Sequence, residues 1–200
     1  MQPFLLEGPA MSAQAQRRTQ LIEATIQEIG ATGALTVTVG QIARRAGVSP
    51  ALAFHYFGDK DRLFLASMRH ILSAYGQEVR AALREAESPR ARLEGVIRAS
   101  FSETNFSHNV IASWLNFYVL AHRSTEAQRL LVVYHRRLHS NLTRDLKKLA
   151  GDAAPGIARR IAALIDGIYL RFAHFPSDEP EQNASAHVLA ALENELRALA

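Results

Sequence analysis

The chain has 200 residues, 48% hydrophobic and 21% charged, a balance that fits one or two folded domains and excludes wholesale disorder. It has no cysteine, which removes disulfides, thiolate metal sites and cysteine nucleophiles together, and no apolar run approaches the roughly 20 residues of a membrane span. The 23 Lys and Arg against 19 Asp and Glu leave a formal charge of +4, mildly basic and compatible with a polyanionic partner.

In residues 1–13, Pro3, Gly8 and Pro9 oppose regular structure, and Phe4-Leu5-Leu6 is too short for a secretory signal and lacks a cationic flank. A flexible arm and a cytoplasmic location are expected. A first helix is predicted over 14–29, with Ile22, Ile26 and Ile29 on one face and Gly30 near its end. Thr38 with Gln41 fits a capping box that opens a second helix over 39–46, and Gly47 ends it. Ser49 can cap a third helix with Pro50 at its first position, where the missing N–H does no harm, and Gly58-Asp59 stops it.

A long fourth helix over 60–86 repeats Phe64, Met68, Ile71, Tyr75 and Val79, and Ser88-Pro89 opens a fifth over 90–104. A sixth over 108–122 is rich in aromatics, and a seventh over 125–149 carries Leu131, Tyr134, Leu138, Leu142 and Leu149. After a break at 151–155, an eighth over 156–173 repeats Ile157, Ile161, Leu164, Ile168 and Phe172, and a ninth follows over 182–199. No segment has strand period. The predicted fold class is all-α: an N-terminal three-helix unit over 14–60, linked by the long helix to a larger C-terminal helical bundle over 61–200.

Thr38–Lys60 is the informative stretch. Two short helices flank a tight Gly47-Val48 turn, the layout in which the second helix enters a major groove. Between Thr38 and Gly58 there are two arginines, Arg44 and Arg45, and no acid, which suits a phosphate-facing surface, and Arg44 is taken as a DNA contact. The small residues Ser49, Pro50 and Ala51 let the positive end of the third helix come close to DNA. The competing reading is a surface helical hairpin with incidental charges.

A second constellation lies in the bundle. Trp114, Phe117 and Tyr118 are close on the sixth helix; Tyr169 and Phe172 share a face of the eighth, with Asp166 one turn before Tyr169; Phe101 and Glu103 come from the fifth. Aromatic faces beside a carboxylate suit a quaternary ammonium group. The same stripes also suit plain core, and Asp166 could instead cap or pair with Arg160 or Arg171. His135 and His139 have a metal-compatible spacing, but Arg136 and Arg137 between them repel cations, so no metal or cofactor is expected. No Gly-rich phosphate loop, Gly-x-Ser-x-Gly elbow or Glu-x-x-His pair supports an enzyme, leaving a helical enzyme or a plain interaction module as the competing classes. Two copies reading a palindrome would need a self-complementary apolar face, for which Leu131, Leu138, Leu142, Ile157, Ile161, Leu164 and Ile168 are the pool, core and interface undivided.

IARRAGVSPALAFHYFGDKDRLF, with Ile22-Glu23-Ala24 before it, resembles the TetR family of bacterial transcriptional repressors over about residues 14–70. The segments 112–117, 136–142 and 162–171 are similar to that family's choline-responsive, betaine-pathway branch, the BetI type. The resemblance implies phosphate contacts from Thr38 and Ser49, base-edge contacts from Pro50, Ala51 and Leu52, and backbone or adjacent-base contacts from His55, Tyr56 and Lys60. Phe54 stands where the family usually has Tyr, and Tyr118 and Tyr169 where the betaine branch tends to carry Trp. It further implies a homodimeric repressor of palindromic operator DNA, released by a small-molecule effector. Choline or a related quaternary ammonium compound is one reading of that effector, and a hydrophobic or aromatic molecule is the other.

Overall fold

The computed structural model describes residues 12–175 and 184–199, which are helical with no strand among them. Most of the expected arm, and the start of the predicted ninth helix, lie outside the described residues. Helix α1 (Ala13–Thr32) begins where the Ser12 hydroxyl accepts from the Ala15 N–H, so residue 13 belongs to the helix rather than to an arm. The capping box forms as the sequence predicts: Thr38 N–H donates to Gln41 Oε1 at 2.7 Å and Gln41 N–H to Thr38 Oγ1 at 3.2 Å, opening α2 (Val39–Arg45). Gly47 then takes φ +66°, a conformation that L side chains adopt only with strain, and the chain turns into α3 (Pro50–Phe57) under its Ser49 cap. Val37, Ile42, Ala43, Ala53 and Leu63 close the core beneath.

Helix α4 (Lys60–Glu85) leaves this unit and runs into the bundle of α5 (Pro89–Ser100), α6 (His108–Ala121), α7 (Thr125–Ala150), α8 (Ala154–His174) and α9 (Ala184–Arg197). Among the described residues no helix is long and apolar enough to cross a membrane. Helix α7 is the bundle's spine, packed along both α8 and α5. A half-buried Arg92 ties this layer together: Arg92 Nε donates to Asp145 at 3.0 Å and its Nη1 to the Leu83 carbonyl at 2.7 Å, joining α4, α5 and α7 around a carboxylate that is 1% exposed.

Helix α5 stops at Ser100, four residues short of the sequence expectation. The Asn105 side chain donates to the Ala99 carbonyl and the Tyr169 hydroxyl to the Ser100 carbonyl, so the last carbonyls are satisfied from outside the helix. Phe101 and Glu103 therefore sit in the turn beyond α5, not on it. The N-terminal unit also docks on the bundle through α1 and α6. A Cβ at Gly30 would lie 2.8 Å from Asn109 Cα, which only a glycine avoids, and Asn116 Nδ2 donates to the Gly33 carbonyl at 3.1 Å.

Candidate functional site

On the outer side of α2 and α3, Thr38, Arg44, Ser49, Pro50, Ala51, Phe54 and His55 are exposed, and Leu52 and Tyr56 are half-buried. Phe54 is 49% exposed, a large ring with no core to fill. Two expected cations behave differently from the sequence reading. Glu28, reaching over from α1, holds Arg45 at 2.6 Å, so Arg44 is the arginine of the pair left to face a partner. The Lys60 ammonium turns inward and donates to the Leu35 carbonyl at 2.9 Å, with the Phe64 ring 5.7 Å away.

In the bundle, Trp114 and Tyr118 from α6, Tyr134 from α7, and Asp166 and Tyr169 from α8 enclose a cavity of about 10 Å³, room for one water at most. Trp114 and Tyr134 pack with ring centroids 4.6 Å apart, and Tyr118 closes the other side at 6.0 Å from Trp114. Asp166 is the acid in this lining, and no lysine or arginine shares it. Its nearest basic group is His135, Nδ1 to Oδ2 at 3.9 Å, the outer limit of an ion pair. Arg160, one of the partners the sequence suggested, pairs with Glu195 instead. Burial pushes the Asp166 carboxyl above the ordinary range, against the pull of His135 and Tyr118. The Tyr118 hydroxyl lies against Asp166 but is buried without a properly formed hydrogen bond. Burial likewise raises Tyr134 and Tyr169, and pushes neighbouring Tyr75 up to about 12, so all three phenols stay neutral.

Residues 89–197 match the family described as BetI-type transcriptional repressor, C-terminal, and residues 21–67 match the bacterial regulatory proteins of the tetR family. An HTH-type transcriptional regulator BetI from Brucella melitensis biotype 2 is 46% identical over 187 residues, covering 93% of this chain and 92% of that protein. This chain belongs to the BetI-type repressors of the TetR family. A BetI from Rhizobium meliloti (strain 1021) is 46% identical over 164 residues, covering 82% of this chain and 81% of that one. The fold is also that of a transcriptional regulator from Saccharomonospora viridis solved in complex with choline, with a TM-score of 0.75 at 19% identity over 89% of this chain and 96% of that one. The BetI-type assignment makes the chain a transcriptional regulator and not an enzyme.

Four of the eight sequence-selected bundle residues of this BetI-type chain meet at the cavity: Trp114, Tyr118, Asp166 and Tyr169. Phe101 and Phe172 are one layer away, packed with Phe106 and Tyr169 at centroid distances of 4.8–5.9 Å. Phe117, its ring edge-on to Trp114 at 6.1 Å, lies outside this cavity among Ile29, Phe64 and Met68, where the bundle meets the N-terminal unit. Glu103 is exposed in the turn after α5 and takes no part. Tyr134 is the member the sequence did not select, because its place in the apolar stripe of α7 reads as core until α6 and α8 are set against it. Of the dimerisation pool, Leu138, Leu142, Ile157, Ile161 and Ile168 are buried in the chain's own core and cannot form a partner face, whereas Leu131 and Leu164 are half-buried.

Proposed function

We propose that the protein is a cytoplasmic homodimeric repressor, with a DNA-reading unit over 14–60 and an effector and dimer unit over 61–200. Helices α2 and α3 read a palindromic operator. A small quaternary ammonium cation of the choline class binds among Trp114, Tyr118, Tyr134, Asp166 and Tyr169 and releases it. One observation carries the effector class: a burial-raised carboxylate walled by four aromatic rings, with no lysine or arginine to neutralise it. A cation among those faces gains ring attraction and a carboxylate partner together. The choline complex of the S. viridis regulator supports the same class. Because the cavity is about one water in size, the ligand selects a wider arrangement of α6, α7 and α8, and that difference between the two states is what couples binding to release.

Asp166→Asn separates this effector class from the hydrophobic or aromatic alternative. In calorimetric titrations with choline, betaine aldehyde and the neutral isostere 3,3-dimethylbutanol, it should weaken the cations by roughly ten-fold or more and leave the alcohol nearly unchanged. Choline affinity of the wild type should rise with pH as Asp166 ionises through its raised value and then level off, and the variant should lose this slope. Stability runs the opposite way. A carboxyl raised in the folded state favours folding while protonated, and that contribution fades as pH climbs through the raised value, so the ligand-free Asn variant should melt no lower than wild type at neutral pH. Binding of the alcohol with no heat from either cation would sink the ammonium reading.

The dimer face is assigned to the outward line of α8, where Ala163, Gly167 and Leu170 are exposed beside α9. A Cβ at Gly167 meets nothing within 4 Å among the described residues, so Ala163→Arg with Gly167→Arg should give folded monomers by sedimentation. Dimers persisting in that variant would place the interface elsewhere.

A further inference from the structure

We propose that the groove between α4 and α7 is a second ligand site, for an organic carboxylate with an apolar body. The groove has a volume of about 650 Å³, within the range of drug-sized sites and far larger than the Asp166 cavity. Arg69 and Arg80 reach it from α4 and Arg137 from α7, and no acid lines it. None of the three guanidinium groups makes a hydrogen bond or ion pair among the described residues. A concave site with three unpaired cations has a field that concentrates anions and repels cations, and guanidinium is the side chain whose fork matches a carboxylate.

The walls are apolar. Leu83 and Val133 line the groove, with Val133 44% exposed and available to cover a hydrocarbon or aromatic body. The floor includes Gly76, a glycine in the interior of a 26-residue helix, where alanine would favour the helix by about 1 kcal/mol. A Cβ there would meet only Arg80 Nη1, at 3.2 Å, the far end of a flexible side chain, so no neighbouring wall demands the glycine and its effect is to keep the groove deep. Tyr134 lines the groove on one side and the Asp166 cavity on the other, so it partitions an anion-seeking site from a cation-seeking one.

The test is calorimetric titration of the full chain with dodecanoate, kept below its micellar concentration, and dodecanol, kept below its solubility limit. Dodecanoate should bind about ten-fold or more tightly than dodecanol, as charge-assisted hydrogen bonds to guanidinium require. Arg80→Gln with Arg137→Gln should bring the two ligands to parity. Gly76→Leu, which fills the floor and favours the helix, should weaken both by about ten-fold or more while the protein stays folded. Equal binding of the two ligands by wild type, no binding of either, dodecanoate affinity that survives the double arginine variant, or full binding by Gly76→Leu would each overturn the proposal.

Discussion

Ala51→Glu should abolish operator binding while leaving the fold intact. Ala51 is exposed in the first turn of α3, the face on which Pro50 and Phe54 also stand out. A carboxylate in the first turn complements the helix dipole, so thermal stability should hold or rise slightly. Against DNA the same carboxylate meets phosphate charge in a groove with little water to screen it, and a like-charge contact of this kind costs several kcal/mol, a loss of roughly two orders of magnitude or more in affinity. Fluorescence anisotropy on a selected palindrome measures this, with Ala51→Gln as the neutral control of similar size. Arg44→Ala should behave differently, weakening all sequences alike and lowering the salt slope by about one, the mark of a lost phosphate contact. Wild-type affinity in a folded Ala51→Glu protein would mean that α3 is not the reading helix.

Arg92→Ala should produce the largest loss of stability of any single change to a charged side chain in the bundle. It strips the closest cation from Asp145, which is 1% exposed, and leaves the Leu83 carbonyl without its donor. Removing one member of a buried pair costs about 3–5 kcal/mol because the other charge is left behind. Arg144 and Lys148 approach Asp145 at 3.6 and 3.8 Å and offset part of this, so about 2–4 kcal/mol is expected in urea unfolding. Arg92→Ala with Asp145→Asn should recover much of the loss, since the stranded charge is then gone. An unchanged unfolding midpoint in Arg92→Ala would show that the two exposed cations suffice.

The reading unit was legible in the sequence because its signals are local. Thr38 with Gln41, Gly47, and Ser49-Pro50 each act within one turn of chain, and each does in the structure what its chemistry requires. The end of α5 was not legible, because the groups that hold it come from Asn105 and from Tyr169, the latter on a helix more than sixty residues away. Glu28 over Arg45, and Leu35 accepting from Lys60, are likewise contacts between separate elements, so a count of basic residues in the stretch overstated the charge it presents. The leucine and isoleucine stripes of α7 and α8 met the same limit. A helix packed on two neighbours is apolar over much of its surface, and spacing alone does not say which side another copy would occupy. For the cage, residue types identified four members, but the fifth wall, Tyr134, needed the third helix.

The contact at Gly30 ties α1 directly to the first turn of α6. Asn109 sits against that glycine on α6, His108 Nε2 lies 3.3 Å from its carbonyl, and Trp114 follows five residues later, roughly 7–8 Å along the same axis. The wall of the small cavity and the shoulder on which α1 rests are thus two points on one stiff strut. In the proposed effector response, a widening that displaces α6 at Trp114 would also move the surface on which α1 rests at Gly30. Because no side chain separates the two backbones at Gly30, that movement would reach α1 with no flexible group there to absorb it.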